Sequence, residues 1–581
     1  MKYNFIIGCA AALALGLGAC SGDMDYHEFR VQDEDFVKRN FGDVAKITTH
    51  LYRSLDYDLG QMYGGASLSS ATDESVYSHR GESIESFFNG SWSPVVPNSA
   101  TWNTCWDAIS YCNLYLDKFN GLTFPDHVNE KEYPDFLAWY ENMQYEVRFI
   151  RAYSYFRLVR EYGGVPLITS YMEIDKANNM PRVSADEIFD YIDSECEEIE
   201  KLLIDDYSDA FPTVGYEQGR VTNLGVYALR ARAALYHASP LFTKDKDDAQ
   251  KKELWRLAAL RNKECLDACR AKSMRLASNY ALLFGYDNWN NTEALKEIIF
   301  ARRVDDSGTR NLKYEQRNFP IGMAGAGGGN CPTENLVSAY EMKNGKAIDD
   351  PTSGYDPQNP YKNRDGRLAA TVAVNGEKWP QQLPQDALET FYGGLNSRSV
   401  TYGTPTGYYL KKYLDGTAKI SGTGQTSNTH TWILFRLGQV YLDYAEAMLN
   451  YTGSGYATEG ELSMSAADAI NQVRKRAGQP ELPTGLGVEE FTDRYENERF
   501  VELAFEGHRM FDVRRWMKAP KYFVNIKVME ITKNGDRLTF TPVENPNYIT
   551  KRTWAGDHMY LWPIPQSEIL KSGALTQNTG W

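Results

Sequence analysis

Residues Glu146 to Ile168 read EVRFIRAYSYFRLVREYGGVPLI. Tyr145, Phe149, Ala152, Tyr153 and Phe156 recur at three- and four-residue steps, which places an aromatic, apolar stripe on one face of a helix. Gly163-Gly164 supplies the left-handed residue that ends a helix, and Pro166 blocks its continuation. Arg148, Arg151, Arg157 and Arg160 are too many cations for a plain solvent face. We expect these residues to hold a packed helix in place rather than to bind a ligand.

Helical patterns continue on both sides. Asp35 to Tyr57 has Phe36, Val44, Ile47, Leu51 and Leu55 on one side, and Trp102 to Leu116 is helical again. Ser184 to Leu203, Val221 to His237 and Leu254 to Ala271 follow, and then Arg436 to Asn450, Ala466 to Gly478 and a helix through Glu498 to Gly507. Two stretches break the pattern. Residues 60–98 are polar, rich in Gly and Ser, and without a period. Residues 284–431 are rich in Gly, Pro, Asn and aromatics, with Glu297 to Ala301 as a short strand candidate. Long irregular excursions on a helical scaffold are where recognition usually sits.

The 581 residues include 39 Tyr, 25 Phe and 12 Trp, ample for a large core. A formal net charge of −15 argues against nucleic acid, whose phosphates are bound by neutralising them with Lys and Arg. It also argues against lying on an anionic lipid surface. No His-Glu-x-x-His, no Gly-x-Ser-x-Gly and no EF-hand spacing is present, although loop carboxylates can hold an adventitious Ca²⁺. The glycine run Gly325 to Gly329 lacks the Lys-Ser/Thr of a phosphate loop. Adjacent carboxylates at Asp73-Glu74, Asp305-Asp306 and Asp349-Asp350 raise a glycosidase pair, but consecutive loop residues tend to point apart. We expect no enzyme and no cofactor.

The N-terminus carries its own signal. Lys2 precedes an uncharged run from Phe5 to Ala19, too short to span a bilayer and read as a cleaved leader. Leu17-Gly18-Ala19-Cys20 resembles a lipobox, so Cys20 is the expected lipidation site, and Ser21, Gly22, Asp23 and Asp25 follow as an acidic tether. No Cys pair has zinc spacing, and the expectation for Cys105, Cys112, Cys196, Cys265, Cys269 and Cys331 is buried free thiols.

The Arg-x-x-Arg pair flanked by aromatics, followed at once by Tyr-Gly-Gly-Val-Pro-Leu, closely resembles the signature of the SusD/RagB family of surface lipoproteins. Further blocks resemble it too: Pro332 to Val337, Tyr340 to Met342, Arg364 to Leu368, Thr406 to Lys412, Tyr441 to Ala447, Glu498 to Gly507, Leu561 to Gln566 and Leu575 to Trp581. Thr579 departs from a more frequent Pro. The resemblance implies a mainly α fold, a tetratricopeptide-like helical superhelix carrying a loop-rich ligand-binding region and a few short strands. The expected order is a leader over 1–19, then one globular unit over 20–581. Within that unit a tether spans 20–34, helical scaffold 35–283 with its loop insertion 60–98, a binding region 284–431 and a C-terminal helical part 432–581.

The resemblance also implies a function: capture of an oligosaccharide or polysaccharide at the cell surface, and delivery to a SusC-like TonB-dependent transporter in the outer membrane. A same-fold protein handling peptides is the main alternative. A surface glycosidase and a structural partner of the transporter without affinity of its own rank lower. Sugar rings stack on flat aromatics while polar side chains fix their hydroxyls. On position, the first expected contributors are Trp92 with Asp73, Arg80 and Asn98, and the second are Trp289, Tyr314, Trp379 and Tyr392. Trp102, Trp106, Ile109 and Asn113 resemble core positions of the family.

Overall fold

The computed structural model describes residues 34–60, 62–207, 219–285, 288–304, 312–426, 428 and 430–581. The leader, Cys20, the acidic tether and the Asp305-Asp306 pair lie outside the described residues. The ten helices that matter to the argument are α1 (Phe41–Leu51), α2 (Ala100–Lys118), α3 (Tyr133–Tyr162), α4 (Ala185–Ile199), α5 (Asn223–Ala238), α6 (Asp248–Ala271), α7 (Leu437–Thr452), α8 (Ala466–Arg476), α9 (Val488–Glu502) and α10 (Arg509–Arg515). From α2 to α8 each packs against the next in sequence. The step from α6 to α7 therefore joins the C-terminal helices to the N-terminal scaffold across the whole loop-rich segment. The fold is mainly α, as expected.

The signature helix α3 runs 30 residues with Pro134 in its first turn, and it ends at Gly163, whose φ is 71°. Phe149, Ala152, Tyr153 and Phe156 are buried, and each of the four arginines has a partner inside the fold. Arg148 forks onto Glu195 at 2.8 and 3.1 Å, and Arg151 reaches Glu195 and the Asn113 side chain. Arg157 pairs with Asp56 at 2.7 Å, while the Arg160 guanidinium lies 3.7 Å from the centre of the Phe511 ring. These cations fasten α3 to α2, α4 and the segment after α1.

Strands are short and occur in pairs. β1 (Ser75–Tyr77) pairs antiparallel with β3 (Asn330–Pro332), and β2 (Ile298–Val304) with β6 (His430–Arg436). β4 (Val372–Ala373) pairs with β5 (Tyr409–Leu410), and β7 (Lys527–Asn534) forms a hairpin with β8 (Arg537–Glu544). The strand expected at Glu297 to Ala301 is β2.

The C-terminal motif blocks form a buried ionic network. Arg436 meets Glu297, Glu502 and Glu506 at 2.7 to 2.8 Å, Arg476 also reaches Glu297 and Glu502, and Arg367 joins Asp365, Glu498 and Glu502. Burial alone would raise the Glu502 carboxyl, but Arg476, Arg436 and Arg367 hold it far below the usual carboxylate range. The six cysteines of the described residues are buried free thiols, as expected, and burial pushes Cys105 and Cys112 up to about 12, which keeps them unreactive.

Candidate ligand-binding surface

Residues 60–98 do not form an open recognition loop. Arg509 of α10 grips Asp73 with two parallel bonds of 2.8 and 2.7 Å, both side chains being buried. Arg552 donates to the carbonyls of Ser70, Thr72 and Ser75, and the Thr553 amide donates to the Phe88 carbonyl at 2.9 Å. Glu74 accepts from the Phe505 amide at 3.0 Å. Burial raises its carboxyl to about 8, so it is mostly protonated at neutral pH.

Several expected contributors are corrected by this packing. Trp92 is 6% exposed and sits among Phe87, Trp562 and Trp581 with ring centres 4.9 to 5.8 Å away. Its indole N–H donates to the Pro97 carbonyl, so neither face nor edge is free for a sugar. Asp73 is saturated by Arg509. Asn98 is half-buried and its amide donates to Ser86 at 2.7 Å, which makes it an anchor of the segment. Tyr314 is buried against His430, and Trp379 packs edge-on against Phe319 at 5.5 Å. A large aromatic in an irregular segment is driven inward by its apolar area unless its neighbours are already packed elsewhere. The Asp73-Glu74 pair is likewise closed to a substrate, and Asp350 is engaged by the Thr352 amide and hydroxyl at 2.7 and 2.6 Å.

Three expected residues stay accessible. Arg80 is exposed, Trp289 is half-buried beneath the Arg303 guanidinium, and Tyr392 is 60% exposed. Tyr392 belongs to a loop over 389–405 that turns out of the body beside β7. Its amide donates to the Ile531 carbonyl at 2.8 Å, and the Met529 amide donates to the Thr406 carbonyl at 2.9 Å, so both ends of the loop are sewn to that strand. Within it the Asn396 side-chain oxygen accepts from the Glu389 amide, and Ser397 bridges Thr404. A Cβ on Gly403 would collide with the Ser397 carbonyl, so this closure needs glycine there.

The loop displays two stacks. Arg398 lies between Tyr392 and Tyr548, 4.8 and 4.1 Å from their ring centres, and reaches Glu530 at 3.3 Å. The Tyr548 hydroxyl donates to the same carboxylate at 2.9 Å, and burial followed by that carboxylate raises the phenol above its ordinary value. These groups line a groove of about 240 Å³ with Thr390, Thr404 and Thr532. In the second stack His79 lies flat on Tyr402, 3.9 Å away and 6° from parallel, with Tyr77 behind it at 5.1 Å. His79 also contacts the Gly327 carbonyl at 2.7 Å, so the glycine run serves as a close-packed wall against which Arg80's neighbour is set. A Cβ on Gly328 would strike the Tyr402 carbonyl.

Tyr402 is 51% exposed and has φ +62°, a left-handed conformation that a bulky residue adopts only when its surroundings impose it. Sequence reading missed Tyr402, Arg398, His79, Tyr548 and Glu530. The segment Arg398 to Thr404 carried one usable signal, an aromatic followed directly by glycine in a polar stretch. Glu530 and Tyr548 reach the groove only through the placement of the β7–β8 hairpin.

Comparison with known proteins follows the same pattern. Residues 296–581 match the family model described as "SusD family", and residues 38–235 match one described as "Starch-binding associating with outer membrane". The starch-binding protein SusD of Bacteroides thetaiotaomicron is 24% identical over 536 residues, covering 88% of this chain and 84% of that protein. A SusD-like protein of Formosa agariphila is 23% identical over 72% of this chain and 70% of its own length. Among solved structures, a SusD-like protein of Bacteroides fragilis superposes with TM-score 0.74 at 23% identity, covering 94% of this chain and 98% of that one. A SusD-like carbohydrate-binding protein of the same species gives 0.70 at 22% identity, over 93% and 100%. Two family matches covering most of the chain from either end, relatives of similar length and one shared fold agree with the motif blocks, and the chain belongs to the SusD/RagB family.

Proposed function

We propose that this chain is a non-catalytic, cell-surface lipoprotein that captures a glycan and delivers it to a SusC-like TonB-dependent transporter. Lipid on Cys20 would hold it at the outer membrane. Among the described residues no helix is long and apolar enough to cross a membrane. The observation that carries the reading is the Tyr392–Arg398–Tyr548 stack at the mouth of its groove. An exposed phenol ring offers a flat face to pyranose C–H groups, while Arg398, Glu530 and the threonines offer donors and acceptors to hydroxyls. Because Arg398 is stacked and paired before any ligand arrives, little side-chain freedom remains to be lost on binding. Names of relatives support the same ligand class: one is a starch-binding protein, another a carbohydrate-binding protein. Arg80 and Trp289 are the remaining candidates for contact.

Binding of the mature chain, with Cys20 removed, to a polysaccharide panel is the test. One glycan should bind, and Tyr392→Ala should weaken it by about tenfold, as loss of an aromatic anchor does. Its melting temperature should not move. Saturable peptide binding with every glycan failing would replace this reading with peptide uptake. Release of reducing ends would replace it with hydrolysis.

A further inference from the structure

A cleft of about 500 Å³ opens between α2, residues 166–180 and residues 568–575. None of its lining residues belongs to the loop surface around Tyr392. Its floor is a stripe at helical spacing along α2: Trp102, Trp106, Ile109 and Asn113. Asn113 is committed to the Ile168 carbonyl and Arg151. Trp106 is not. Its ring is half-buried, edge-on to Trp102 at 5.6 Å and to Tyr155 at 6.2 Å, and its indole N–H is sealed from solvent without an acceptor. The N–H is therefore turned away from the cleft, and what the ring offers a ligand is its accessible aromatic surface.

The rest of the lining is mixed in polarity and almost neutral, with Ile168, Met172, Ile174, Met180 and Leu575 as its apolar wall. Asn103, Asp107 and Ser110 stand exposed along one side of α2, and Asn178 stands on the facing wall. Lys571, the cation among the lining residues, is paired with Glu568 at 2.8 Å. The walls are already fixed to each other. The Asn179 side chain accepts from the Gly573 amide at 3.0 Å, and Arg182 donates to the Thr576 carbonyl and the Asn578 side chain.

We propose that this cleft is a second carbohydrate site, taking a neutral oligosaccharide of about two or three rings. The half-buried Trp106 indole suits pyranose C–H surfaces, and amide, carboxylate and hydroxyl groups suit sugar hydroxyls. A lining without a free cation gives a phosphate, sulfate or uronate nothing to pair with. A peptide that binds by strand addition would need an open strand edge, and these walls are helix and turn. The assignment stands on the cleft's own chemistry and does not need the loop surface to bind sugar. With both sites filled by one polysaccharide, release from either would be followed by rebinding at high effective concentration.

The test is calorimetric titration of the mature chain with maltotriose, cellotriose, laminaritriose and xylotriose up to about 10 mM. Four proteins are compared: wild type, Tyr392→Ala, Ser110→Trp and Trp106→Phe. Ser110 is exposed, so a tryptophan there fills the cleft without disturbing the core, and Trp106→Phe narrows the aromatic platform from an indole to a phenyl ring. The expected result is a trisaccharide that still binds Tyr392→Ala, fails to bind Ser110→Trp, and binds Trp106→Phe about three- to tenfold more weakly because the stacking surface shrinks. Binding that Tyr392→Ala abolishes and Ser110→Trp leaves intact overturns the second site while sparing the loop surface. Failure of all four trisaccharides against wild type also overturns it, whatever a longer glycan does at the loop.

Discussion

Residues 60–98 and 389–405 resemble each other in composition and differ in fate. Both are irregular, rich in Gly and Ser, and carry aromatics and at least one arginine. The first is largely interior, with Asp73 gripped by Arg509, three carbonyls held by Arg552 and Trp92 wedged among other aromatic rings. The second is tied down at its ends and at the buried Asn396, yet Tyr392 and Tyr402 stay exposed. What separates them is the partner that each finds far away in sequence. The C-terminal part supplies buried cations to 60–98, Arg509 from α10 and Arg552 from the stretch after β8, whereas the β7–β8 hairpin offers 389–405 only an edge and a few polar side chains. An irregular segment becomes a recognition surface when the scaffold leaves its aromatic faces uncovered, not because it is irregular.

That contrast can be broken at several points. Asp73→Ala leaves Arg509 buried without a counter-charge, and should cost about 3–5 kcal/mol in chemical denaturation. A loss below about 1 kcal/mol would mean that this segment is not held as a core element. Trp92→Ala removes a fully packed ring and should cost about 3–4 kcal/mol. Glycan affinity should survive wherever this variant remains folded; a selective loss of binding would return Trp92 to the site.

Glu74 gives a pH signature. Its carboxyl titrates at about 8 in the folded chain against 4.5 as its ordinary value, so the folded state binds the proton more tightly. Its contribution is fully present at low pH and is lost as pH rises from 4.5 toward 8. Glu74→Gln should remove that slope, and its stability relative to wild type should grow by about 3 kcal/mol between acid and neutral pH. Parallel unfolding profiles across that range would show that the carboxyl reaches solvent.

Tyr402→Gly should produce the smallest effect and act in the opposite sense on the exposed loop. Relief of the left-handed conformation should add about 1 kcal/mol of stability, offset in part by the entropy of glycine, while glycan affinity falls because the His79 stack loses its outer ring. If stability drops instead, the loop is held by that ring and not merely decorated by it.

Much of the scaffold was legible in order. The stripe in EVRFIRAYSYF, the Gly-Gly-Val-Pro stop, the alanine-rich helix through Leu224 to Ala238 and the strand at Ile298 can all be read from local spacing, because helix and strand periods are local properties. Even the structural role of the four signature arginines was foreseeable, since that many cations on an aromatic helix demand buried partners. The site was less legible. Arg80 and Tyr392 stayed accessible, but Trp92, Asp73, Tyr314 and Trp379 were drawn inward, and spacing along the chain cannot distinguish the two outcomes.

The sequence by itself determined a mainly helical chain of the SusD/RagB family, with a set of charged residues in excess of what a surface needs. Only the tertiary structure decided which irregular segment is interior, which tyrosines face solvent, and that the Trp102–Trp106 stripe floors a cleft. The physical reason is distance. Helix period and motif spacing act within a few residues, whereas exposure of a side chain depends on groups such as Arg509, Arg552 and Glu530 that reach it from more than a hundred residues away.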